Sequence, residues 1–311
     1  MPNPSEILRE LGAGAVANSI ASFLLNPCDV VKIRLQTQGT QGLPTLYEGT
    51  SHAAKTIMRQ EGIFAAWGGL WFPGIAASML REASYSSFRF GLYTPVKVMF
   101  GADKNPNNMF LKIGAGATSG AVGSVLAVPT DVVKIRFQGE AGAVCPRTGL
   151  YTTGLFKGEK PTYSSTINAF STMYRQQGLK GMWVGWQPTM CRAAALAGAQ
   201  LSTYDQTKIV VKQNGWMEDG FPLHIVASLC AGWTTLMATQ PFDTVKSKVM
   251  AARPGTYKNV GEVVVTTFRS EGVKGFYRGA LASYLRFGPH FIIALPLWEF
   301  TRKHVFGLGF V

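Results

Sequence analysis

The chain has 311 residues, of which 47% are hydrophobic and only 15% charged, with 35 glycines and a formal net charge of +13. This balance argues against an ordinary soluble enzyme and fits a polytopic membrane protein whose helices pack through small residues. The positive surplus suits anionic lipid headgroups or a small anionic solute; nucleic acid is disfavoured because Lys and Arg are dispersed, several within apolar runs, instead of gathered in a patch or tail.

Residues 1–10 hold two acids and two prolines, without a secretory core or an Arg-rich presequence, so any targeting signal is expected to be internal. Residues 7–37 predict the first helix. Within it, residues 11–25 are uncharged and rich in Gly, Ala and Ser, long enough with their flanks to cross a bilayer. Pro27 removes a backbone donor and should kink the helix where Pro27-Cys28-Asp29-Val30-Val31-Lys32-Ile33-Arg34 begins. Asp29 and Lys32, three residues apart, share one helix face. A polar connection at 38–50 leads to a short amphipathic helix at about 51–60, then to Glu61-Gly62 and a second long helix at about 74–100. That helix carries Arg81, Glu82 and Arg89 among apolar and small residues, where a charge facing lipid would cost several kcal/mol; they are expected to face a cavity.

The same plan is then written twice more. Pro129-Thr130-Asp131-Val132-Val133-Lys134-Ile135-Arg136 and Pro241-Phe242-Asp243-Thr244-Val245-Lys246-Ser247-Lys248 repeat the first stretch, with the prolines 102 and 112 residues apart. That period exceeds any solenoid unit, and each third is too thinly apolar to hold its own soluble core, so repeats 1–105, 106–216 and 217–311 should form one body. In the second repeat, 113–128 is an uncharged helix with Gly116-x-x-x-Gly120, ending at Pro129. Residues 139–161, rich in Gly, Thr and Pro, predict a solvent-exposed loop. An amphipathic stretch at 164–176 precedes a helix at about 187–211 that carries Arg192. In the third repeat a helix at 221–240 ends at Pro241, a short helix covers 258–270, and the last long helix, 280–303, carries Arg286. The mean hydropathy of +0.11 implies helices with one lipid face and one polar, water-lined face.

A second ruler aligns the even helices. Gly74 to Arg81, Gly185 to Arg192 and Gly279 to Arg286 are each seven residues, and from those arginines to Tyr93, Tyr204 and Trp298 is twelve, about 18 Å of helix. About a pseudo-threefold axis the three arginines would converge at one depth. Guanidiniums stay charged and grip carboxylates bidentately, so three of them would bind a small divalent anion and repel one another without it. His224 and His290 are isolated, no Ser, His and Asp constellation is readable, and Cys28, Cys145, Cys191 and Cys230 form no C-x-x-C pair. No catalytic residue, metal or cofactor is expected.

On these residues the chain resembles the mitochondrial carrier family over essentially its whole length. Family members carry three copies of P-x-[DE]-x-x-[KR]-x-[KR] followed by [DE]-G-x(4)-[WYF]-[KR]-G, and all three first halves match. Among the second halves, Glu271-Gly272-Val273-Lys274-Gly275-Phe276-Tyr277-Arg278-Gly279 matches fully. Gln177-Gly178 to Gly185 has Gln for the acid and Val184 for the base, and Glu61-Gly62 to Gly74 carries five extra residues. The resemblance implies an all-α membrane protein of six transmembrane helices in a threefold barrel with three short matrix helices. It also implies alternating access, the inner mitochondrial membrane with both termini toward the intermembrane space, cardiolipin at the aromatic-basic-glycine element, and function as a monomer. It assigns Asp29, Lys32, Asp131, Lys134, Asp243 and Lys246 to a matrix gate beside the kinks at Pro27, Pro129 and Pro241.

Family even helices end in [FY]-[DE]-x-x-[KR], a cytoplasmic gate. Tyr204-Asp205-Gln206-Thr207-Lys208 matches and Trp298-Glu299-Phe300-Thr301-Arg302 keeps both charges, but Tyr93-Thr94-Pro95-Val96-Lys97 lacks the acid. By the resemblance, Lys97, Asp205, Lys208, Glu299 and Arg302 form this gate, and it should close weakly. Leu80-Arg81-Glu82-Ala83-Ser84-Tyr85, Pro188-Thr189-Met190-Cys191-Arg192-Ala193 and Arg286-Phe287-Gly288-Pro289-His290 are similar to the 2-oxoglutarate, dicarboxylate and uncoupling-protein branch. Nucleotide carriers have glycine and an aliphatic residue where Arg192-Ala193 stands, which disfavours ATP or ADP. The resemblance thus implies exchange of C4 or C5 dicarboxylates or oxo acids, with an uncoupling-type, nucleotide-regulated proton leak as the alternative. Glu82 either takes part in proton coupling or pairs with an arginine.

Overall fold

A computed structural model describes residues 4–64, 69–101, 109–215, 221–253 and 255–307, some side chains within the helices excepted. Helix α1 (Pro4–Thr37), short α2 (Thr50–Gln60) and α3 (Ile75–Met99) make up the first third. In the second, α4 (Met109–Leu126) and α5 (Val128–Glu140) stand where the first has one helix, followed by α6 (Thr166–Met182) and α7 (Trp186–Gln213). The last third holds α8 (Phe221–Ala251), α9 (Val260–Phe276) and α10 (Ala280–His304).

Helices α1 and α8 run unbroken through Pro27 and Pro241. The second copy is interrupted at Ala127 (φ −83°, ψ −1°), which puts Pro129 in the first turn of α5, where its missing N–H is tolerated. Helices α6 and α9 extend beyond the amphipathic stretches that predict them, because each bends at the glycine of the repeated acid-glycine or Gln-Gly pair. Gly178 (φ 63°, ψ −166°) and Gly272 (φ 64°, ψ −161°) occupy a backbone region open essentially to glycine alone.

Contacts between long helices close a ring: α1 packs on α3, α3 on α4, α4 on α7, α7 on α8, α8 on α10 and α10 on α1. The lower halves α1, α5 and α8 also touch one another, so the three proline stretches meet. Among the described residues no helix is long and apolar enough to cross a membrane. The cause is visible on α1, where Val16, Ile20 and Leu24 are exposed while Ala13, Ala17 and Ala21 are buried. Large apolar side chains face outward and small ones inward, so mean apolarity along the helix is low even where its outer face is greasy.

Residues 141–161 form the loop their composition predicts, exposed at 146–148 and 157–160 but anchored by buried residues that composition does not predict. Leu155 is buried with Val31, Leu35, Tyr47, Ala53 and Ile57 of the first third, and Tyr151 is buried as well. Burial, then the Glu140 carboxylate, pushes the Tyr151 phenol above its ordinary range. Glycine makes the packing possible, since a Cβ on Gly142 would lie 2.4 Å from the Thr153 carbonyl oxygen. At Gly142 the glycine signals close backbone approach, not solvation.

The last base of each stretch reaches the acid-glycine element. Arg34, with a side chain 0% exposed, donates to Glu61 Oε1 at 2.7 Å and Oε2 at 2.8 Å. Glu61 also accepts the Gly69 N–H at 2.8 Å. Lys248 pairs with Glu271, which also lies 2.9 Å from Arg278. Replacing Glu61 with Ala would strand a buried guanidinium, and a loss of about 3–5 kcal/mol is expected. The check is thermal unfolding of the purified protein, where an unchanged midpoint would contradict it.

Candidate functional site

The spacing of each stretch puts its aspartate and first lysine on one helix face. The structure brings all six together. Lys32 Nζ lies 2.9 Å from Asp243 Oδ2, Lys134 Nζ 2.6 Å from Asp29 Oδ2, and Lys246 Nζ 2.6 Å from Asp131 Oδ2. The second oxygen of each aspartate takes an arginine from the remaining third of the chain. Arg286 Nε is 2.9 Å from Asp29 Oδ1, Arg81 Nε 2.8 Å from Asp131 Oδ1, and Arg192 Nε 2.5 Å from Asp243 Oδ1. Each aspartate is therefore held between the other two copies, and all three copies are joined through a ring of ion pairs.

The height of the arginines is set by the glycines seven residues before them. Gly74 (φ 64°), Gly185 (φ 82°) and Gly279 (φ 76°) are left-handed. Each also receives a side chain from an odd helix of another copy. A Cβ would lie 2.9 Å from Gln138 Cγ at Gly74, 3.0 Å from Met250 at Gly185 and 3.6 Å from Gln36 at Gly279. A side chain is disfavoured by backbone at all three and also by space at Gly74 and Gly185, and α3, α7 and α10 start at a fixed level.

The arginines are not bare cations that repel across a cavity; the aspartates stand between them. Glu82 adds a fourth acid, with Oε1 2.6 Å from Arg81 Nη1 and 2.9 Å from Arg286 Nη2. The Arg81 guanidinium also lies over the Tyr85 ring, 5.1 Å from its centroid. Among the described residues, three lysines and three arginines meet three aspartates and one glutamate, six cations against four carboxylates, so two positive charges remain over. Exposure is divided: the side chains of Asp29, Glu82, Asp131 and Asp243 are 2–7% exposed, those of Arg81, Arg192 and Arg286 are 16%, 20% and 19%. The arginines are thus the most accessible side chains of the cluster, ahead of Lys32, Lys134 and Lys246 at 11%, 6% and 9%.

Of the other sequence candidates, Lys97 lies in α3, partly exposed. The side chains of Arg89, Thr94, Asp205, Lys208, Glu299 and Arg302 lie outside the described residues. Sequence reasoning missed the arginine-aspartate pairing. Its signal was present, since aspartates and arginines occur once per copy at fixed distances from a proline and a glycine. It also missed Arg34 with Glu61, where the repeated base and the repeated acid pointed to each other.

Six long helices closed into a ring, with a threefold cluster of charges at their meeting point, define a solute carrier built from three similar units. A sequence model of the family described as "Mitochondrial carrier protein" matches residues 3–104, 105–215 and 218–308. The chain belongs to that family, whose members are multi-pass proteins of the mitochondrial inner membrane. It is similar to a "Mitochondrial substrate carrier family protein ucpB" of Dictyostelium discoideum, 35% identical over 91% of each chain. It is 31% identical to a "Mitochondrial 2-oxoglutarate/malate carrier protein" of Caenorhabditis elegans, covering 92% of this chain and 89% of that one. A "Dicarboxylate carrier UCP2" of Danio rerio is 30% identical, with 96% and 93% covered.

Proposed function

We propose that the protein exchanges small divalent anions, C4 or C5 dicarboxylates or oxo acids such as 2-oxoglutarate and malate, by alternating access. The observation that carries this reading is the surplus of two positive charges, among the described residues, on a cluster whose most exposed side chains are arginines. A dianion neutralises that surplus, and two carboxylates can use the fork geometry of two arginines at once. The names of the relatives from Caenorhabditis elegans and Danio rerio support the same solute class.

In this reading Arg81, Arg192 and Arg286, with Glu82 and Arg89, bind the solute. Asp29, Lys32, Asp131, Lys134, Asp243 and Lys246 form a gate on the matrix side, with Pro27 and Pro241 inside continuous helices beside it and Pro129 in the first turn of α5. An incoming carboxylate competes with the aspartates for the guanidiniums, which loosens the ring from the solute side. Buried ion pairs suit a gate because desolvation offsets most of their attraction, so the closed state is specified without being deeply trapped. Helices α1, α3, α4 with α5, α7, α8 and α10 would cross the membrane as a barrel of repeats 1–105, 106–216 and 217–311, with α2, α6 and α9 along the matrix surface. Lys97, Asp205, Lys208, Glu299 and Arg302 would close the opposite end. Cardiolipin is the expected lipid partner, the monomer the working unit, and no chemistry is done on the solute.

The test is uptake into liposomes preloaded with one anion, using a labelled panel of dicarboxylates, oxo acids, phosphate and nucleotides, with proton flux read in parallel. Counter-exchange confined to the dicarboxylates and oxo acids is expected. Proton flux without exchange would overturn the reading.

A further inference from the structure

Gln177 marks where the second repeat departs from the other two. In the first, Glu61 clamps Arg34, and in the third Glu271 takes Lys248. In the second, Gln177 stands opposite Arg136 and offers only an amide oxygen, 3.1 Å from Nη2. Arg136 is 7% exposed and has no carboxylate partner among the described residues. Its other acceptors are neutral: Met250 O at 3.0 Å from Nε, Tyr163 Oη at 3.4 Å and Ala252 O at 3.5 Å. The last two contacts are long, so Nη1 is poorly used and Nη2 relies on the Gln177 amide oxygen.

Arg136 and Gln177 line a cavity of about 180 Å³ between the ends of the odd helices. Thr37 and Gly139 in its wall lie eight residues past Asp29 and Asp131, about 12 Å of helix beyond the ion-pair ring. A water takes about 30 Å³ of liquid, so the space exceeds a single solvent molecule. Two more polar atoms of the wall, Gln177 Nε2 and Thr40 Oγ1, are buried without a hydrogen-bond partner. The wall also holds the Glu140 carboxylate, which accepts the Thr162 N–H at 2.8 Å through one oxygen, and a second arginine, Arg253, which is paired with Glu159. What remains under-used is Arg136 Nη1, beside the unpartnered Gln177 amide N–H and Thr40 hydroxyl. That set calls for a ligand that is anionic and rich in acceptors.

We propose that the cavity at Arg136 and Gln177 is a second anion site, separate from the ion-pair ring, that takes one small oxyanion group, a carboxylate or a phosphate. Arg136 already bonds Met250 and Ala252 of the third repeat, so a bound anion holds the second and third repeats in the arrangement in which the ring is closed. The anion supplies from outside the negative charge that Glu61 and Glu271 supply covalently in their own repeats.

The experiment reads thermal unfolding of the purified full-length protein against inorganic phosphate and against malonate, with chloride at equal ionic strength as reference. It is done in an Arg192→Ala background, to remove the contribution of the ring, and it does not depend on transport. Each anion that binds should raise the midpoint by a few degrees at saturation. Adding Gln177→Glu should remove the rise while raising the midpoint without anion. A response to malonate alone identifies a carboxylate site, to phosphate alone a phosphate site, and to both a general oxyanion site. A rise undiminished by Gln177→Glu, or none above chloride, overturns the proposal. Should the Arg192→Ala protein not fold, the otherwise native chain with and without Gln177→Glu is compared in the same anions, and the same two outcomes overturn the proposal.

Discussion

Changing Arg81, Arg192 or Arg286 to Ala is expected to lower exchange by about a hundredfold or more, with the protein still folded. Each guanidinium contributes a charge-assisted contact to the solute that water cannot replace in a site from which solvent is partly excluded. Loss of about 3 kcal/mol corresponds to that factor. The fold should survive because each aspartate keeps its lysine: Asp131 keeps Lys246, Asp243 keeps Lys32, and Asp29 keeps Lys134. Arg→Lys should also fail at all three places, since an ammonium cannot offer the planar fork. Initial rates of exchange in liposomes, with unfolding midpoints measured beside them, decide the matter. Normal rates in two of the three Ala variants would remove this cluster from consideration as the solute site.

Reversing one charge of the ring should be as damaging and, unlike the arginine changes, partly curable. Asp29→Lys places a cation against Lys134 and Arg286, and breaking a buried pair in this way costs about 3–5 kcal/mol. Adding Lys134→Asp restores one pair but leaves Arg286 facing a cation, so recovery should be incomplete. Adding Lys32→Asp instead returns the same net charge only three residues away, yet Lys32 pairs with Asp243 and not with Asp29. It should therefore give no recovery. Equal rescue by the two second changes would show that net charge, not the pairing, matters.

Much of this architecture could be read from the order of residues, for definable reasons. The threefold writing of proline, acid and base marked the odd helices, and the glycine-to-arginine ruler marked the even ones. The observed α3, α7 and α10 begin and end within a few residues of the stretches that predict them. Repetition made these features visible because three equal spacings constrain one another. Features that break the repetition were not visible. The packing of Leu155 and Tyr151 depends on glycines approaching a distant backbone, which composition alone reads as a loop. The pairing of Arg286 with Asp29 joins residues 257 positions apart, a relation that appears only when the ring of helices closes.

Glu82 gives the cluster a direction. The equivalent positions of the other repeats hold Ala193 and Phe287, so the acid occurs once in three. It sits between Arg81 and Arg286, while the described ion pair of Arg192 is to Asp243 alone. A perfectly threefold cluster would seat a rod-shaped dianion in three equivalent orientations. With one gap between arginines already filled, the proposed binding mode makes Arg192 the mooring expected for one end of the guest. A molecule whose ends differ, such as an oxo acid, would then take one of the three seats in preference to the others, a choice that a threefold ring of charge does not make.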